Sequence, residues 1–170
     1  MSKLKGIVFL GFFLLCLDQL LKYFTHHFLP LMSQGLYLYP YSGISVFHNF
    51  LGIEFSISHA TNTGAAWGAF ADKQGLLLIF RVILITVLAV YLFSYNQKRS
   101  IQVPLALVLF GATANVLDYF IYGHVVDMFH FVLWGYDYPV FNLADSMIFI
   151  GVLCLLLTPD SKKEKKAVAQ

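Results

Sequence analysis

The chain has 170 residues, 59% of them hydrophobic and 12% charged, with a mean hydropathy of +0.73. A soluble domain carries roughly a quarter charged residues, so this composition excludes that class and points to one integral membrane domain spanning 1–170. A net charge of +2 is too small to suggest a nucleic-acid partner, and the two cysteines, Cys16 and Cys154, lie in apolar runs with neither disulfide nor metal-ligand spacing.

Four apolar runs, at about 6–24, 75–95, 101–121 and 141–157, approach the roughly 20 residues that cross hydrocarbon; the last is short unless its flanks join it. The first follows Lys3 and Lys5 as a signal peptide would, but it is long enough to span and no small-residue cleavage site follows. Leu14-Leu15-Cys16 also lacks the small residue expected before a lipidated cysteine. Lys3, Lys5, Lys98, Arg99, Lys162, Lys163, Lys165 and Lys166 all fall on one side of a four-span layout, and the other side keeps only Lys73 outside the spans. The positive-inside rule then makes both termini cytoplasmic and turns the loops 25–74 and 122–140 outward.

The longer loop is not a low-complexity linker. Turn residues from Gly35 to Gly43 precede VFHNFLGIEFSIS, whose β-branched and aromatic content predicts two short strands around Gly52. ATNTGAAWGAF then offers a turn and the start of a surface helix. The basic tail, 158–170, is expected to be solvated and to touch anionic lipid.

The polar residues inside the runs converge. The first run holds Asp18 and Lys22, the third Asn115 and Asp118, the fourth Asn142 and Asp145, and on the orientation above all six lie in the outer half of the bilayer. Gly11, Leu15, Asp18 and Lys22 share one helical face by their 4-3-4 spacing, as do Gly111, Asn115, Asp118 and Tyr122. Structural readings exist for each: an i,i+4 ion pair or a snorkelling lysine for Asp18–Lys22, and interhelical hydrogen bonds for Asn115 and Asp118. Arg81, also in the outer half, is expected to snorkel or to pair with a carboxylate.

Two aspartates flank the second outer loop: Asp127 in GHVVDMFHF and Asp145 in FNLADS. Asp145 fits N3 of a capping box opened by Asn142, and Asp127 fits a solvated loop carboxylate. The functional reading is different. Gly123 breaks the third helix, the loop runs extended along the rim, and the chain returns through Pro139 to bring both carboxylates to one depth. Two carboxylates sharing a site hold one proton between them near neutrality, so one serves as base on water and the other as acid toward a carbonyl oxygen. No HExxH zinc motif and no GxSxG elbow is present, and all six histidines lie outside the apolar cores, with His124 and His130 near enough in sequence to tune Asp127.

Together LDQLLKYF, NTGAAWG, NVLDYFIYGHVVDMFHF and FNLADS, in this order and spacing, resemble the bacterial lipoprotein signal peptidases, signal peptidase II. The resemblance implies an inner-membrane aspartic endopeptidase that cuts diacylglyceryl-modified prolipoproteins before the lipidated cysteine, with no metal or organic cofactor. It places the catalytic pair on Asp127 and Asp145, and gives Asp18, Lys22, Asn62, Asn115, Asp118 and Asn142 roles in supporting the site or meeting substrate. It also implies an all-α membrane fold of four transmembrane helices with a small extracytoplasmic β-cradle over 46–58 and a lid-like surface helix beginning near Gly64. A four-helix bundle can stand alone, so a monomer is expected.

Two positions depart from the family pattern: Tyr119 stands where an arginine is usual, removing a charge partner for Asp118, and Gly111-Ala112 replaces a Gly-Gly pair. Three rival readings fit the sequence less well. A small proton-coupled transporter should carry polar groups at both depths of the bilayer, yet the inner half is nearly bare. A presenilin-type protease needs GxGD, and His124-Val125-Val126 precede Asp127 instead. A scaffold protein would have no use for a cluster of carboxylates.

Overall fold

The computed structural model describes residues 2–32, 38–63, 74–95 and 99–158. The expected surface helix after Gly64 and nearly all of the basic tail lie outside these residues. Helix α1 covers Ser2–Phe28. It overruns the expected first span at both ends; toward the C-terminus no glycine or proline interrupts it before Pro30, which disfavours helix at the residue before it. His26 and His27, expected in a loop, therefore stand on the last turn of a helix.

Strand β1 (Ile44–Phe50) and strand β2 (Ile53–Asn62) form the hairpin anticipated around Gly52. Its two-residue turn has positive φ at both Leu51 (55°) and Gly52 (81°), the twist that joins right-handed strands tightly. Helix α2 (Gln74–Val90) continues through a wider π turn, Tyr91–Tyr95, and helix α3 covers Arg99–Tyr122. Gly123, at φ 77°, ends α3 with its N–H on the Tyr119 carbonyl at 3.0 Å.

The segment expected to lie extended along the rim is a full strand, β3 (Val125–Leu133), with a short β4 (Tyr136–Asp137) after it. The sheet is antiparallel in the order β1-β2-β3-β4, so β2 and β3 pair across the two helices between them in sequence. Phe55 lies opposite Phe131 with rings stacked at 4.2 Å, and Ala60 lies opposite Asp127. Between these pairs β2 carries one extra residue: Ile57 faces Phe129, but Ala60 faces Asp127. That bulge breaks the inward–outward alternation, so Ser58 and His59 are both buried.

Helix α4 covers Leu143–Leu157. Helices within Leu4–Phe28, Gly75–Tyr95 and Ser100–Tyr122 are long and apolar enough to cross a membrane; α4, with 15 residues, is shorter. Phe9, Phe13, Phe80, Ile83, Phe149 and Leu156 project exposed from these helices, a surface suited to lipid rather than water.

Helix α3 is the common partner, packing on α1, α2 and α4. Its approach to α4 depends on two glycines. A Cβ on Gly111 would sit 2.7 Å from the Ala144 carbonyl oxygen, and one on Gly151 would sit 2.7 Å from the Pro104 carbonyl oxygen. Both obstacles are backbone, so the helices themselves must part. Gly111→Ala is expected to cost about 1–3 kcal/mol, the range for overpacking. Its thermal midpoint in detergent should fall, while Gly6→Ala, where a Cβ meets open space, should leave it unchanged.

Candidate active site

The site is built around a buried cation. Lys22, fully buried on α1, uses all three ammonium donors: Asp18 at 2.7 Å, Asp118 of α3 at 2.7 Å, and the Asn115 side-chain oxygen at 2.8 Å. It does not snorkel. Gln19 donates to Asp118 at 2.7 Å and to the Ala114 carbonyl at 3.2 Å. The carboxylates reach onward: Asp18 accepts the Ala144 N–H at 2.8 Å, and Asp118 accepts the Val126 N–H at 3.3 Å. One charge cluster thus ties α1 and α3 to the first turn of α4 and the start of β3.

The same network reaches the two aspartates flanking the loop. Asn115, held by Lys22 through its oxygen, donates through its nitrogen to Asp145 at 2.8 Å. Asn142 caps α4: its side-chain oxygen accepts the Asp145 N–H at 2.8 Å, and Asp145 in turn accepts the Asn142 N–H at 3.3 Å. The capping box anticipated for Asp145 is therefore real. It leaves the Asn142 side-chain nitrogen free to donate to Asp127 at 2.7 Å and to the Asn115 oxygen at 3.2 Å. A cap residue on one helix thereby joins both aspartates. Asn62, last residue of β2, donates its own hydrogen bond to Asp127.

Asp127 is not a wet loop carboxylate; it is only 3% exposed, on a central strand. Burial, and after it the charge of Asp145, push its pKa up to about 7 against the hydrogen bonds from Asn62 and Asn142 and the field of Lys22. The unfolded carboxyl releases its proton near an ordinary value of about 4, so between there and about 7 the folded chain holds more protons. This residue therefore withdraws stability as pH rises through that window, and at neutrality Asp127 is poised between acid and base.

All eight residues singled out in the sequence meet here. Asp18, Lys22, Asn62, Asn115, Asp118, Asn142 and Asp145 are linked to one another or to Asp127. Below Asp145 opens an apolar cavity of about 630 Å³, lined by Phe131, Tyr138, Phe141, Phe149 and Ile150. Nothing in the sequence marked this cavity, because its walls come from β3, from the residues after β4 and from α4.

The sequence and the fold both have known counterparts. A family model described as signal peptidase (SPase) II matches residues 10–159. The chain belongs to the signal peptidase II family. A lipoprotein signal peptidase of Bacillus pumilus (strain SAFR-032) is 34% identical over 161 residues, covering 93% of this chain and 96% of that protein. One of Bacillus subtilis (strain 168) is 36% identical over 115 residues, covering 66% and 75%. The fold resembles a bacterial membrane enzyme structure determined by the in meso method at 2.3 Å, with TM-score 0.75, 27% identity and coverage of 90% of this chain and 86% of that one. These matches support a membrane peptidase over the transporter reading.

One expectation needs correction. Asp118 keeps a cation despite Tyr119, because Lys22 supplies it from α1. Arg81, expected to snorkel or to pair with a carboxylate, lines a small cavity with Tyr119, Asn62 and His124. His130 pairs with Asp137 at 2.6 Å. His124 faces His26 and His59 across a cluster from three elements, and its pKa is lowered by burial and by His59. Positions 26, 59 and 124 are too far apart in sequence to suggest a common site.

Removing the cation leaves two buried carboxylates unpaired. Lys22→Met is expected to cost about 3–5 kcal/mol, measured as loss of folded protein in detergent on a thermal ramp. Adding Asp118→Asn to that variant should restore part of the loss.

Proposed function

We propose that this chain is a lipoprotein signal peptidase of aspartic type, with Asp127 and Asp145 as the catalytic pair. The observation that carries the reading is Asn142, which donates to Asp127 and caps the turn that holds Asp145. The pair holds one proton. The ionised carboxylate takes a proton from water, the water oxygen attacks the scissile carbonyl carbon, and the protonated carboxyl donates to the carbonyl oxygen. Collapse of the tetrahedral diol breaks the C–N bond as the newly protonated carboxyl donates to the leaving nitrogen and a diol hydroxyl gives its proton to the other carboxylate, which restores the singly protonated pair. The titration belongs to the pair rather than to one residue. No step needs a metal or an organic cofactor.

The substrate class follows from the relatives' name and from the surroundings of the pair. A diacylglyceryl-modified prolipoprotein brings an apolar signal helix and two acyl chains, and the apolar cavity beside Asp145 offers a complementary wall. Cleavage falls before the lipidated cysteine. Asp18, Lys22, Asn115, Asp118 and Asn142 then act as positioning residues, and Asn62 stands beside Asp127 where substrate backbone would lie.

In the membrane, α4 joins the three longer helices as a fourth span, both termini face the cytoplasm, and the sheet forms a cradle at the outer face of the inner membrane. The lysine distribution supports that orientation. The chain acts as a monomer in contact with lipid, and the weak net charge leaves no nucleic-acid role.

Asp127→Asn and Asp145→Asn should each lower cleavage of a lipidated precursor peptide by roughly a hundredfold to ten-thousandfold while the protein still inserts and folds. Full activity in either variant sinks the assignment. In the wild type, kcat/KM should fall as pH rises beyond about 7, because the pair then loses the proton needed at the carbonyl oxygen.

A further inference from the structure

A second cluster of titratable groups stands apart from the aspartates and takes no part in the hydrolysis. His26 comes from the last turn of α1, His59 from β2, and His124 from the turn between α3 and β3. One ring nitrogen of each lies within 4.8 Å of the other two. The nitrogens without a hydrogen-bond partner are His26 Nδ1, His59 Nε2 and His124 Nε2. Buried polar atoms are nearly always satisfied, so three orphans in one cluster require an explanation.

His59 is the most telling of the three. It is only 4% exposed, and its Nδ1 lies 3.0 Å from the Leu29 carbonyl oxygen. A carbonyl only accepts, so Nδ1 carries a proton, and in the neutral ring Nε2 presents a lone pair. Fixing one ring nitrogen on a backbone carbonyl while the other faces inward is how proteins prepare a metal-binding histidine. The bulge in β2 is what turns His59 inward next to Ser58, out of the normal alternation. The Tyr122 ring packs on His26 at 4.6 Å and closes one flank.

From this geometry we infer that His26, His59 and His124 form a site for a divalent transition-metal ion of the zinc class. Three neutral imidazoles suit zinc, cobalt, nickel or copper and do not suit magnesium or calcium, which prefer oxygen. In a tetrahedral site with Zn–N of about 2.0–2.1 Å the ligand nitrogens stand about 3.4 Å apart. The rings need to close by at most about an ångström and a half, a change of side-chain torsions. A fourth position is left for water. A bound ion would cross-link the end of α1, the bulge of β2 and the turn entering β3, and so brace the sheet close to the Ala60–Asp127 pair. The inference stands independently of the peptidase mechanism.

The test is cobalt titration of untagged, chelator-treated protein in detergent, read by visible absorption. One Co²⁺ per chain should bind with the intense d–d bands of a tetrahedral nitrogen site, be displaced by Zn²⁺ and be unaffected by Mg²⁺. Zn²⁺ should also raise the thermal midpoint. His59→Gln and His124→Gln should each weaken binding by about tenfold or more, and His48→Gln, on the exposed face of β1, should not. His124 lies in a turn, so its variant remains informative if His59→Gln fails to fold. Absence of the bands, or equal affinity in the His124→Gln variant and the wild type, overturns the inference and leaves a water-filled polar pocket.

Discussion

The structure depends on a lysine that has no access to water. Lys22 is fully buried in a chain whose helices otherwise offer mostly apolar side chains, and an ammonium in such surroundings is tolerable only when every donor is used. Asp18, Asp118 and Asn115 meet that condition from two helices, and each partner then has capacity left for something else. Asp18 spends it on the first turn of α4, Asp118 on the first residues of β3, and Asn115 on Asp145. A single charge therefore sets the relation between helices α1, α3 and α4 and the strand that carries Asp127.

In Asn142 a structural role meets the proposed chemical one. Its oxygen is committed to the N–H of Asp145, as any good helix cap would be. That commitment fixes the amide's orientation and points its nitrogen at Asp127. A helix terminus is a rigid place to mount a reacting group. The cap on Asp145 and the proposed shared site are compatible, because one amide serves both.

Much of this was legible in the chain. The 4-3-4 faces of α1 and α3, the accumulation of polar residues at one end of the apolar runs, and the hairpin at Gly52 all rest on local periodicity and turn chemistry, which the sequence carries directly. The pairing of β2 with β3 is different: it joins segments separated by two helices, and nothing local in VVDMFHF distinguishes a central strand from an extended rim. Lys22 was open to snorkelling because burial depends on Asp118, 96 positions on. The histidine cluster was invisible for the same reason, compounded by a bulge that reverses the facing of His59. Tyr119 marked a lost charge partner in sequence, but a cation from another helix already occupied that role.

The central claim is that Asp127 and Asp145 share a proton. Carboxyl ¹³C resonances of aspartate, followed against pH in detergent-solubilised protein, test it most directly. A carboxyl assigned to Asp127 should titrate near 7 and move down toward the ordinary aspartate range when Asp145→Asn removes the neighbouring charge. An Asp127 that already titrates near an ordinary value of about 4, and is indifferent to Asp145, would contradict the account.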